Sequence, residues 1–125
     1  MFSLTNKTAI VTGGGSGIGK AISTVFSKQG AIVHLFDMDD AGGASTVEEI
    51  KKSGGIAFFH HCDVSSQAEV KRITTSIVEE KVGIAILVNN AGIAHVGNAE
   101  TTNEEDFDRL LRVNVKGVYN CLHEI

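Results

Sequence analysis

The sequence predicts an α/β fold in which a parallel sheet is covered by helices on both faces. Short runs rich in β-branched residues alternate along the chain with segments of helical periodicity. The runs are nearly continuously apolar, as strands buried on both sides require. The first run also breaks into glycines that re-enter a helix. No linker, repeat or low-complexity segment interrupts the 125 residues, which amount to one domain's worth of chain.

The elements follow in order. Lys7-Thr8-Ala9-Ile10-Val11-Thr12 reads as the first strand, and Ile18, Ala21, Ile22, Val25 and Phe26 give the next segment one apolar helical face. Ala31-Ile32-Val33-His34-Leu35-Phe36-Asp37 is the second strand. A helix over Ala41 to Lys52 ends at Ser53-Gly54-Gly55, and Ile56 to Cys62 forms the third strand. Ser66-Gln67-Ala68-Glu69 is a capping-box pattern that opens a helix with Val70, Ile73 and Ile77 on one side. Ile84 to Val88 is the fourth strand. After a loop from Asn90 to Thr101, Thr102-Asn103-Glu104-Glu105 starts the last helix. Its apolar stripe reads Phe107, Leu111, Val118, Leu122 and Ile125, with Asn114 on the same side. A buried amide there must be hydrogen-bonded, and Asn114 and Gly117 are both poor mid-helix residues.

The glycine turn carries the chemistry. A strand that reverses direction while a pyrophosphate touches its backbone has no room for β-carbons, and Gly13, Gly15, Gly17 and Gly19 remove them. The following helix aims free N–H groups and its positive dipole end at the anion. The spacing is TGxxxGxG, not the GxGxxG of the standard dinucleotide fingerprint. Asp37 ends the second strand 18 residues after Gly19, where a carboxylate accepts hydrogen bonds from adenosine ribose hydroxyls. Asp39 and Asp40 stand close by, and Ser16 and Met38 occupy places where a cation would be needed to neutralise a 2′-phosphate. NAD is therefore expected in preference to NADP. Asp63-Val64 follows the third strand and is read either as an adenine-edge contact or as an acid approaching the Ser65/Ser66 cap. Asn89-Asn90-Ala91-Gly92 follows the fourth, with amides to bond neighbouring backbones and small residues to keep the floor low for a flat ligand.

Composition narrows the class. A net charge of −4 and 42% hydrophobic residues leave no basic excess to attract nucleic acid or anionic lipid. No apolar stretch approaches the roughly 18 residues of a spanning helix, and Met1 to Lys7 lacks signal-peptide character, so a cytoplasmic location is expected. Cys62 and Cys121 lack metal-type spacing and read as buried thiols. No metal site is expected: His60 and His61 point to opposite faces of a strand, and His34 is mid-strand. His95 reads as a loop histidine, with lining of a substrate mouth as the alternative.

Taken together, TGGGSGIG at 12–19, Asp37, Asp63-Val64, NNAG at 89–92 and Val113-Asn114-Val115 resemble the short-chain dehydrogenase/reductases over almost the whole chain. The resemblance implies the N-terminal part of a single Rossmann domain with sheet order 3-2-1-4. It implies an NAD-type cofactor held at Gly13, Ser16, Ile18, Asp37, Asp63, Val64 and Asn90, and Asn114 as the asparagine of the family's Asn-Ser-Tyr-Lys tetrad. It also implies a small carbonyl or alcohol substrate, and a homodimer or homotetramer paired through the Asn114-type helix. The family's Ser, Tyr and Lys fall beyond Ile125, so the segment by itself is expected to be inactive. Tyr119 is followed four residues later by His123 rather than Lys and reads as a core or interface residue, and Lys116 as a solvated one. The alternative function is a truncated module that binds NAD or pairs with another subunit without catalysing a reaction.

Overall fold

The computed structural model describes residues 3–80, 83–94 and 96–125. His95 lies outside them. Four strands form one parallel sheet: β1 (Thr8–Thr12), β2 (Ile32–Asp37), β3 (Ile56–His61) and β4 (Ile84–Val88), in the order β3-β2-β1-β4. Parallel strands need long crossovers. Here these are α1 (Gly17–Lys28), α2 (Asp40–Lys52) and α3 (Gln67–Glu79). After β4 come α4 (Glu104–Leu111), a five-residue π-helical turn (Arg112–Lys116) and α5 (Gly117–Glu124).

Side-chain alternation on the strands builds two cores. Val11, Val33, Leu35 and Ala57 face α1 and α2, where Ile22, Phe26, Val47 and Ile50 meet them. Ile10, Phe36 and Cys62 face the other way, onto Val70, Ile73 and Ile77 of α3 and Cys121 of α5. β1 is buried at all five positions because it has a strand on either side and helices on both faces. β3 is an edge strand, and its Ile56 and Phe58 remain half exposed.

Helix starts largely follow the sequence reading. Ser66 caps α3 by accepting from the Glu69 backbone N–H at 3.3 Å, and Asp39 caps α2 through Gly42. At α4 the cap is Asn103, one residue later than the start at Thr102, because Asn103 Oδ1 accepts from Asp106 N at 2.8 Å. The last helix departs further. The more buried face carries Leu110, Val113, Gly117, Asn120 and Cys121, one residue out of step with the expected stripe. Phe107, Leu111, Leu122 and Ile125 are exposed instead. A one-residue step rotates a helix by about 100°, so periodicity identified an apolar face but not the one that meets this sheet. Tyr119, expected in core or interface, is no core residue: it is 55% exposed and stacks on His123.

The strand register brings together two histidines that looked unrelated. Pairing of β2 with β3 sets His34 beside Phe58 and Phe36 beside His60, so His34 and His60 are diagonal neighbours on one face. Their rings stack, and His34 Nδ1 and His60 Nε2 lie 2.8 Å apart. His34 is only 5% exposed. Burial, and then the neighbouring His60, push its pKa down from 6.5 to about 4. His60 is lowered too, by burial first, with Glu80 opposing and Arg72 reinforcing the shift. His61, on the opposite face, bonds Asp40 at 2.7 Å.

A histidine whose folded pKa lies below its unfolded value binds its proton more readily when unfolded. Its share of stability is therefore complete above about pH 6.5 and is lost progressively as pH falls toward about 4. Two and a half pH units correspond to on the order of 3 kcal/mol. Urea unfolding at about pH 7.5 and about pH 4.5 should show this loss in the parent protein and a smaller one in His34→Phe. Equal acid sensitivity in both would place its origin elsewhere.

Candidate functional site

All four strands deliver their carboxyl ends to one edge, and the glycine turn occupies its centre. Gly13 N donates to Phe36 O at 2.7 Å, which ties the turn to β2 as the chain leaves β1. Gly13 and Gly17 have φ of +66° and +54°, a region that L side chains avoid. A β-carbon at Gly19 would run into the Gly13 carbonyl oxygen, so α1 starts directly on the turn. Ser16 stands at the N-cap of α1, yet its side chain makes no cap bond, and the first turn of α1 holds no acid. In α2, α3 and α4, by contrast, Asp39, Ser66 and Asn103 each cap the helix. The N-terminus of α1 therefore keeps free N–H donors and an uncompensated positive dipole end.

Thr12 fastens β1 to the segment after β4. Its Oγ1 accepts from Asn90 N at 3.0 Å and Ala91 N at 2.9 Å, and donates to Val88 O at 3.3 Å. One hydroxyl thus uses its proton and both lone pairs. The Asn90 side chain returns the tie, its Nδ2 donating to Gly13 O at 3.2 Å. The sequence places Thr12 at the end of the first strand and the start of the glycine motif, but does not reveal these ties.

The two acids are held by backbone. Asp37 Oδ2 accepts from Gly15 N at 2.9 Å and its Oδ1 from Asp39 N at 3.0 Å. Asp63 Oδ1 accepts from Ser65 N at 3.0 Å and Ser65 Oγ at 2.6 Å, so the helix-approach reading of Asp63 describes one of its oxygens. Both acids line a cleft of about 580 Å³. Gly13, Ser16, Gly17 and Ile18 form its centre, Asp37, Met38, Asp63 and Val64 one side, and Asn90, Ala91, Gly92 and Ile93 the other. Gly15 and Gly19 are set back from the cleft, where Gly15 meets Asp37 and the start of α2.

Asn114 lies beside the cleft, in the π-helical turn. It is exposed rather than buried, and it bonds one residue twice: Oδ1 accepts from Ile93 N and Nδ2 donates to Ile93 O, both at 2.8 Å. Its amide thereby completes the backbone pairing of the loop after β4. The buried amide of this helix is Asn120, 0% exposed, whose Nδ2 donates to Val64 O at 2.8 Å and whose Oδ1 accepts from Gln67 at 3.3 Å. A β-carbon at Gly117 would crowd Val64 at 2.7 Å, so this glycine lets the helix close onto the segment after β3.

Among the cleft residues that the sequence motifs do not point to are Cys62, Arg109 and Arg112. Burial pushes the Cys62 thiol up to about 12 and that of Cys121 up to about 11, so neither is a nucleophile near neutral pH. No group of three or more potential metal ligands occurs among the described residues. Among them, too, no helix is long and apolar enough to cross a membrane.

A parallel sheet in order 3-2-1-4 with an open glycine turn at its carboxyl edge defines a Rossmann-type α/β protein. The short chain dehydrogenase family matches residues 7–125, and the chain belongs to that oxidoreductase family. It is 47% identical over 113 residues to an oxidoreductase of Thermotoga maritima, covering 90% of this chain and 44% of that protein. With the cyclopentanol dehydrogenase of Comamonas sp. it shares 35% identity over 119 residues, covering 95% of the chain and 48% of the relative. Among solved structures, the citronellol catabolism dehydrogenase AtuB of Pseudomonas aeruginosa superposes with TM-score 0.89 at 33% identity, over 96% of this chain and 49% of that one. A dehydrogenase/reductase of Sinorhizobium meliloti does so with TM-score 0.92 at 36% identity, over 98% and 49%. The chain spans about half the length of these relatives.

Thr12→Val would leave two N–H groups at the centre of the site without an acceptor, a loss of about 2 kcal/mol or more. Thr12→Ser keeps the oxygen and should hold most of that stability. Thermal unfolding of the three proteins checks this, and a valine variant as stable as the parent would show that the hydroxyl is dispensable.

Proposed function

We propose that the protein carrying this chain is an NAD-dependent oxidoreductase that moves a hydride between the cofactor and a carbonyl or secondary alcohol carbon, with this chain forming the cofactor-binding part of a Rossmann domain. The observation that carries the reading is the uncapped N-terminus of α1 opening on the cleft beside Asp37. Free N–H groups and a positive dipole suit a pyrophosphate, and a carboxylate oriented by Gly15 and Asp39 suits ribose hydroxyls. When bound, the nicotinamide supplies or accepts the hydride.

The chain's own residues bind and orient. Gly13, Ser16, Gly17 and Ile18 receive the pyrophosphate, with Gly15 and Gly19 allowing the turn its shape. Asp37 and Met38 border the ribose. Asp63 and Val64 meet the adenine, and Asn90, Ala91 and Gly92 form the opposite wall. Asn114 acts as a positioning residue, because both polar atoms of its amide hold Ile93 at the cleft wall. Relatives named for cyclopentanol and citronellol support an alcohol or carbonyl substrate. The exposed apolar residues of α4 and α5, among them Leu111, Tyr119 and Leu122, support assembly into a homodimer or homotetramer. The net charge of −4 gives no basic surplus to draw nucleic acid, among the described residues no helix is long and apolar enough to cross a membrane, and a cytoplasmic location is part of this reading.

A 2′-phosphate would meet the Asp37 carboxylate with Asp39 and Asp40 nearby, so NAD should bind at least about tenfold more tightly than NADP. Asp37→Ala should weaken NAD by about tenfold and narrow the gap between the two cofactors. Titration of the complete protein with both cofactors tests this, and equal affinity in the parent would refute the preference. Light scattering of the complete protein should give a dimer or tetramer, and a monomer at every concentration would remove the assembly.

A further inference from the structure

The charges around the cleft balance, but they are not used alike. Asp37 and Asp63 are both committed to backbone or serine donors. Arg109, in the last turn of α4, and Arg112, in the π-helical turn, are the cations that line the cleft. Each has a carboxylate four residues earlier on the same helix, Glu105 for Arg109 and Asp108 for Arg112. That spacing ordinarily gives a surface ion pair. Neither pair forms, and among the described residues neither guanidinium takes an ion pair or a side-chain hydrogen bond.

The helix fixes which end of the cleft they serve. Gly117 and Asn120 are packed against Val64, and Val113, one turn nearer the helix start, packs against the cluster that contains Phe36, Cys62 and Val64. Arg112 and Arg109 come next along the helix. They thus flank Val113, the helix residue packed against the Phe36, Cys62 and Val64 cluster, and both line the cleft beside it. A planar guanidinium is weakly hydrated, stacks on aromatic faces and offsets carboxylate charge.

We propose that Arg109 and Arg112 are binding residues for the adenosine half of the dinucleotide, offering guanidinium planes to the purine and balancing Asp37 and Asp63 when a dianion enters. The assignment rests on the dinucleotide reading above. It requires the two arginines to discriminate between the halves of the ligand, which a general contribution to folding would not do.

Isothermal titration of the complete protein with NAD, ADP-ribose and nicotinamide mononucleotide separates these roles. The double variant Arg109→Gln/Arg112→Gln should lose about tenfold in affinity for NAD and ADP-ribose and leave nicotinamide mononucleotide unchanged. The ADP-ribose affinity should also become less sensitive to salt. Lysine at both positions, which keeps charge without the plane, should recover part of the loss. Unchanged ADP-ribose affinity in the glutamine variant, with circular dichroism matching the parent, would overturn the assignment. So would an equal loss for nicotinamide mononucleotide. A parent protein that binds neither NAD nor ADP-ribose would overturn the dinucleotide reading itself, and this proposal with it.

Discussion

One hydroxyl group organises the site. Thr12 ends the central strand, and its Oγ1 receives two backbone N–H groups from the segment after β4 while giving its proton to Val88. These bonds draw the Asn90 loop against the glycine turn, and the Asn90 side chain then closes the contact through Gly13. The cleft exists because these two segments are held together at the sheet edge and apart above it. The oxygen sits where water is excluded, so no solvent molecule replaces it.

Around that junction, each cleft wall is positioned by something outside the cleft. Asp37 is aimed by Gly15 and Asp39, and Thr46 of α2 reaches Gly15 O at 3.3 Å from behind. Val64 is held by Asn120 from α5, and Ile93 by Asn114 from the π-helical turn. Single-turn π-helical insertions are frequent at functional sites because they shift the register of a helix locally. Here the shift coincides with Asn114, whose exposed amide grips the loop after β4. The side chains most exposed to a ligand are consequently supported by amides and hydroxyls that would not touch it.

The two faces of the sheet differ in what they tolerate. The side covered by α1 and α2 admits only small hydroxyls such as Ser23 and Thr46, each bonded to a backbone carbonyl, whereas the α3 side admits the stacked His34–His60 pair toward the β3 edge. Such a pair is neutral at working pH and behaves as two flat, weakly polar rings, which is why it can sit beside Phe58 and Phe36. Its cost appears only in acid.

The alternation of elements, the glycine turn, Asp37 and the NNAG segment were legible in the sequence because each depends on local rules: period, turn conformation and chain spacing. The family's motifs also lie in these local segments, so the resemblance was visible before any fold was. The orientation of the last helix was not legible, since Phe107, Leu111, Leu122 and Ile125 make as good an apolar stripe as the residues that meet the sheet. For the same reason Asn114 was expected in the interior and Asn120 was overlooked. The Thr12 ties, the His34–His60 contact and the two cleft arginines, without an ion pair among the described residues, join residues distant in sequence or turn on ion pairs that fail to form. Sequence by itself determined which elements form and which segments reach the carboxyl edge. Only the tertiary structure decided which helix face is buried and which polar groups find each other, because those depend on docking geometry between elements that local patterns do not encode.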